Sequence, residues 1–142
     1  MVGPLDPNAH SHDIPVSAPA DDGGHNAHFI KSATVEINGR STDFLVQPFS
    51  DRIFVLVTQM RKMGTTLSAS KEVTIAGAES FSVQTLVGIR DMPELELCAR
   101  AVISKISDDG CSKPLLISLA LKDHSMRTIR AVIEKVGELR VW

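Results

Sequence analysis

The sequence predicts an α+β domain: an antiparallel six-stranded sheet, folded over like a sandwich, with two helices to one side. Three observations carry this expectation. Five strand-like stretches follow one another with little more than turns between them, giving the order β-β-β-β-β-α-β-α. Two later stretches repeat apolar residues at helical spacing. Two runs, 53–58 and 115–121, are apolar almost throughout, as in strands covered on both faces.

The first strand starts at Phe29, where Phe29, Lys31, Ala33, Val35 and Ile37 alternate with Ile30, Ser32, Thr34 and Glu36. Asn38-Gly39 then supplies two residues that tolerate positive φ, the signature of a tight hairpin. A second strand runs from Arg40 to about Gln47, and Pro48 ends it or confines it to an edge. Ile53-Phe54-Val55-Leu56-Val57-Thr58 is apolar and β-branched, so it is expected at the centre of the sheet. A fourth strand lies near Thr65–Ser70. Lys71 to Ser80 loses periodicity, contains Gly77 and is expected to be a long, mobile loop. Alternation returns at Phe81, Val83, Thr85 and Val87, and Gly88 closes the fifth strand.

Asp91-Met92-Pro93-Glu94 reads as a helix start, with Pro at the first helical position and acid in the first turn. Leu95, Cys98, Ala99, Val102, Ile103 and Ile106 form its apolar stripe, and Asp108-Asp109-Gly110 stops it. Leu115–Leu121 is the sixth strand. Asp123 or Ser125 caps a final helix with the stripe Met126, Ile129, Val132, Ile133 and Val136, ended by Gly137. About 20 inward side chains at ~1.5–3 kcal/mol each would give a gross gain of tens of kcal/mol, enough core for one domain.

The first 28 residues differ from the rest. They hold four of the seven Pro, four of the five His, four Asp and neither Lys nor Arg, so they carry −4 of a net charge of −2. Residues 29–142 therefore carry +2, from 15 basic against 13 acidic side chains. Only nine of the 28 are hydrophobic, against 52 of the 114 that follow, and such a segment is expected to form a disordered tail. It has neither the basic nor the apolar region of a secretory signal, and lacks the Arg of a transit peptide. No apolar run approaches the ~18 residues that span a bilayer. Cys98 and Cys111 fit no disulfide framework or metal spacing and are expected as reduced thiols in the cytosol or nucleus.

Near-neutral charge and only 4% aromatic residues argue against a nucleic-acid binder. There is no phosphate loop, dinucleotide fingerprint or C-x-x-C pair, and no cofactor or metal is expected. Asp123-His124-Ser125 holds the three residue types of a hydrolase triad. Consecutive side chains at a helix start diverge by roughly 100°, so capping explains them better. Ser68-Ala69-Ser70-Lys71 matches S-x-x-K, but it sits on a strand without its companion motifs. His10, His12, His25 and His28 lie in the tail, without a preorganised shell for a metal. Asp91, Glu94 and Glu96 sit where a helix dipole favours acid. Lys62-Met63-Gly64-Thr65 reads equally as a contact point for another protein and as a plain turn.

Ile53-Phe54-Val55-Leu56-Val57-Thr58-Gln59 followed by Lys62-Met63-Gly64-Thr65 resembles the proteasome assembly chaperone 3 family. So do Leu119-Ala120-Leu121-Lys122-Asp123-His124-Ser125-Met126 and the terminal Val141-Trp142, with Leu86-Val87-Gly88 in register between them. The resemblance covers most of Lys31–Trp142 and excludes the tail and much of Lys71–Ser80. It implies a non-enzymatic α+β chaperone that uses no nucleotide. Such a chaperone pairs with proteasome assembly chaperone 4 or with itself, helps arrange the α-subunit ring of the 20S core particle, and leaves before maturation.

Within that reading, the residues expected to touch a partner are Lys62, Met63 and Gly64 in one loop and Lys71, Glu72 and Glu79 in the other. The alternatives are a generic homodimeric scaffold and a small serine hydrolase using Ser125 or Ser68.

Overall fold

A computed structural model describes residues 30–142, so the tail lies outside the described residues. The eight elements follow the expected order: β1 (Lys31–Ile37), β2 (Arg40–Pro48), β3 (Ile53–Thr58), β4 (Thr65–Val73), β5 (Glu79–Val87), α1 (Pro93–Asp108), β6 (Leu115–Ala120) and α2 (Met126–Glu138). No helix among them is long and apolar enough to cross a membrane.

The six strands form one continuous sheet in the order β1-β2-β3-β6-β4-β5. This corrects two details of the expected architecture. The sheet does not fold over on itself. It is also mixed, because β6 pairs parallel with β3 and antiparallel with β4. The return of the chain through α1 determines that direction: the helix carries it back across the sheet, as a parallel crossover requires.

Local chemistry accounts for the junctions. Asn38 and Gly39 take φ values of 53° and 82° and close the β1–β2 hairpin. Pro93 opens α1 as expected, although Met92 at the N-cap offers no side-chain acceptor. Ser125 caps α2 by accepting from the Thr128 amide at 3.3 Å. Gly137 lies inside the last turn of α2 rather than after it. Beyond α2, Arg140 pairs with Asp109 at 3.0 Å and the Trp142 indole donates to the same carboxylate at 2.9 Å, tying the terminus to the end of α1.

Lys71–Ser80 is not a loop. β4 and β5 stay in register as far as Val73 opposite Glu79, so the segment is a hairpin arm projecting beyond the other strands. Its poor periodicity reflects exposure on both faces, with every residue from 71 to 80 open to solvent.

Both helices lie on one face of the sheet. Phe44, Val46, Ile53, Val55, Val57, Leu67, Leu115, Ile117 and Leu119 point toward them, and all are buried. All six residues of the α1 stripe are buried with them. In α2, Ile129, Val132 and Val136 are buried, Ile133 is half-buried, and Met126 stays exposed.

Candidate protein-interaction surface

Because side chains alternate across a strand, the partners of these core residues emerge on the opposite face. Among the described residues, no helix covers that face. Leu45 of β2 stands opposite Leu56 of β3, and Phe54 of β3 opposite Leu116 of β6. All four are half-buried, sheltered only by one another and by their neighbours. Phe49, in the β2–β3 turn, adds an exposed ring beside Phe54 and Leu116 in a shallow groove floored by Gln47.

The rest of the uncovered face is mainly hydroxyl and amide groups, with the carboxylates of Glu36 and Asp43 on its β1–β2 side. Thr66, Ser68 and Ser70 of β4 face it together with Ser82 and Gln84 of β5. Thr34 donates to Asp43 at 2.8 Å on the β1–β2 side. The exposed Asp51–Arg52 pair, 3.0 Å apart, marks the lower rim. There the Arg52 hydrogen bond holds the Asp51 carboxyl below its ordinary value and raises the guanidinium.

Six strands ~4.8 Å apart and about 20 Å long give a face on the order of 600 Å². That is comparable to the ~800 Å² each partner buries in an ordinary stable interface. Sequence reasoning expected β3 and β6 to be covered on both faces, and the helices supply only one cover. The signal for a missing second cover was present: two strands apolar almost throughout, and helices enough for a single face.

The six residues expected to touch a partner divide between two places. Lys62, Met63 and Gly64 lie in the loop that follows β3, where Met63 is 55% exposed. The Gly64 amide donates to the Ser118 hydroxyl at 3.3 Å. Lys71, Glu72 and Glu79 lie on the arm, where Lys71 and Glu79 form an ion pair of 3.3 Å. The two groups stand at opposite ends of β4, about 25 Å apart along the strand. They do not form one site.

Asp123 and Ser125 have structural roles at the start of α2. The Asp123 carboxylate accepts from the Thr128 hydroxyl at 2.6 Å, the Asn38 amide at 2.8 Å and the Ser125 backbone amide at 2.9 Å. These bonds hold its carboxyl well below the usual range. Among the described residues, no hydrogen bond joins His124 to Ser125. Ser68 and Lys71, an odd number of positions apart on a strand, face opposite sides of the sheet. Cys98 is fully buried, which pushes its thiol up to about 12, and both cysteines are free. Among the described residues, no group of three or more His, Cys, Asp or Glu could hold a metal. The tail histidines lie outside them.

Residues 55–139 match the family model described as Proteasome assembly chaperone 3. A protein of that name from Nematostella vectensis is 34% identical over 114 residues, covering 73% of this chain and 83% of its own. The Bos taurus protein of the same name is 31% identical, covering 79% and 93%. A chain from the crystal structure of a chaperone complex for yeast 20S proteasome assembly shares the fold. Its TM-score is 0.60 at 15% identity, covering 78% of this chain and 98% of that one. With a family match over more than half its length and this fold beneath it, the chain belongs to the proteasome assembly chaperone 3 family.

Proposed function

We propose that this chain is an assembly chaperone of the 20S proteasome that pairs through the uncovered face of its sheet. The partner is a structurally similar chaperone of the proteasome assembly chaperone 4 type. The pair helps arrange the α-subunit ring in the cytosol or nucleus and departs before the particle matures. The chaperone role follows from family membership and needs neither catalytic group nor cofactor.

One observation carries the pairing. Leu45, Phe54, Leu56 and Leu116 form a contiguous apolar patch at the middle of a face that no element among the described residues covers. A second sheet laid against it would complete a two-layer core at the usual spacing of ~10 Å. The hydroxyl and amide groups on β4 and β5 suit the polar rim of such an interface. The arm, remote from the helices and fully exposed, is the part that reaches the α-subunits.

Leu56→Glu tests the pairing. Co-expressed with a chaperone 4-type partner, the wild type should elute as a two-chain complex by light scattering. The variant should elute as a monomer with an unchanged circular dichroism spectrum. A paired, folded Leu56→Glu variant would refute the use of this face. Affinity purification from native extract should recover α-subunits with the wild type. Self-pairing with no proteasome subunit recovered would favour a generic homodimeric scaffold.

A further inference from the structure

Four loops leave the sheet at the end where β3, β5 and β6 finish and β2 and β4 begin: residues 38–40, 59–64, 88–92 and 121–125. They present Arg40, Arg61, Lys62, Arg90 and Lys122, all exposed. Among the described residues none of these five cations is ion-paired. All four ion pairs, Asp51–Arg52, Lys71–Glu79, Lys135–Glu138 and Asp109–Arg140, lie at the other end of the domain. Arg52, Lys71, Lys135 and Arg140 are thus ion-paired within the chain, and the five loop cations at the opposite end are not.

Carboxylates offset them in part: the exposed Glu36 stands one position from the Ile37–Arg40 pair. Asp123 is engaged by Asn38, Ser125 and Thr128. Asp91 lies beside Arg90, and Glu94 and Glu96 are half-buried in the first turn of α1. The loops are also fastened. The Gln59 amide donates to Thr42 at 3.1 Å and accepts from the Lys122 backbone at 2.8 Å. The Ile89 amide donates to Thr65 at 3.1 Å. Among the described residues, all three non-glycine residues with positive φ, Asn38, Arg61 and Asp91 (53°, 56° and 59°), lie within these loops. Backbone held in such costly conformations concentrates where a surface is shaped for a task. Loops fastened in this way lose less backbone freedom when a ligand binds.

The ligand chemistry follows from what stands among the cations. Met63 and Ile89 are 55% and 57% exposed, each next in sequence to a cation. The four loops contain no Phe or Trp on which a base could stack. Cations interleaved with flexible aliphatic groups suit a polypeptide in which carboxylates alternate with apolar side chains.

We propose that this end of the domain is a docking surface for an acidic, apolar-spaced polypeptide segment of a client protein. The proposal rests on the chaperone reading for the existence of a client and adds the chemistry by which one of its segments is held.

Fluorescence anisotropy of the full chain with a short fluorescein-labelled peptide of Asp, Glu and Leu tests it. Binding should weaken as salt is raised. Lys62→Glu should lose about tenfold in affinity, in the range of a charge contact, and Lys113→Glu at the opposite end should lose little. Equal losses in the two variants would reduce the effect to net charge and overturn the proposal. So would the absence of peptide binding, or tighter binding of a single-stranded DNA oligonucleotide. Light scattering on the same samples separates the two readings: intact pairing without peptide binding removes this surface alone.

Discussion

Leu45 and Leu56 stand directly opposite one another on neighbouring antiparallel strands, on the face of the sheet that neither helix reaches. Their neighbours Phe44 and Val57 form the equivalent pair on the other face and are buried under the helices. One register thus places one leucine pair outside and one core pair inside, and their substitutions should behave differently. In the isolated chain, Ile117→Ala on the helix face should cost about 2–5 kcal/mol. Leu56→Ala should cost less than about 1 kcal/mol. Urea denaturation checks both, and equal costs would mean that the uncovered face is core.

Gly64 has no room for a side chain. A Cβ there would lie 2.6 Å from the Ala120 Cα and 2.7 Å from its Cβ, so backbone rather than a flexible chain end would have to move. Gly64→Ala should destabilise by about 1–3 kcal/mol, the range of an overpacked site. A thermal melt unchanged from wild type would show that the β3–β4 loop is looser than its contacts with β6 imply.

Asp123 links the β1–β2 turn to the start of α2, and its carboxyl is held below the ordinary value by the Thr128, Asn38 and Ser125 bonds. A group depressed in the folded state contributes stability that is complete well above the unfolded value of about 3.9 and fades as the pH drops below it. Asp123→Ala should therefore melt below wild type by a constant margin near neutrality, and the two curves should converge in acid. A margin unchanged between pH 7 and the acid limit would sink this account.

Cys98 sits among the buried residues of α1, with its thiol pushed up to about 12. The reactive thiolate is essentially absent near neutral pH. Iodoacetamide should spare Cys98 in the native protein and label it once urea unfolds the chain. Peptide mass mapping distinguishes it from the half-buried Cys111.

Replacing residues 74–78 of the arm by Asn-Gly should leave stability within about 1 kcal/mol, because Ile75 and its neighbours bury nothing. The same variant should recover less α-subunit from extract. Full recovery would move the contact away from the arm.

The order of the elements and both helical stripes were legible because each rests on local periodicity and on capping or turn residues such as Asn38, Pro93 and Ser125. The parallel pairing of Ile53–Thr58 with Leu115–Ala120 was not, since strand neighbours far apart in sequence leave no local trace. The arm was misjudged because a hairpin exposed on both sides needs no alternation. Lys62 and Met63 stand out in the sequence through their turn, as candidates for a partner contact. Leu45 and Leu116 were missed because a half-buried leucine and a core leucine look alike until the number of covering helices is counted.

Strand β6 lies between β3 and β4, which are neighbours in sequence but not in the sheet. Until Leu115–Ala120 has left the ribosome, the nascent chain can hold only the β1–β2–β3 meander and the separate β4–β5 hairpin, each with an unpaired edge, along β3 and along β4. The sheet closes late, by insertion of a strand into a gap, so ribosome release and not the first hairpin sets when this fold completes. A chain interrupted before Leu115 would expose two unpaired edges of the kind that aggregate. Its cellular abundance should then depend on complete synthesis more steeply than that of a sheet built in sequence order.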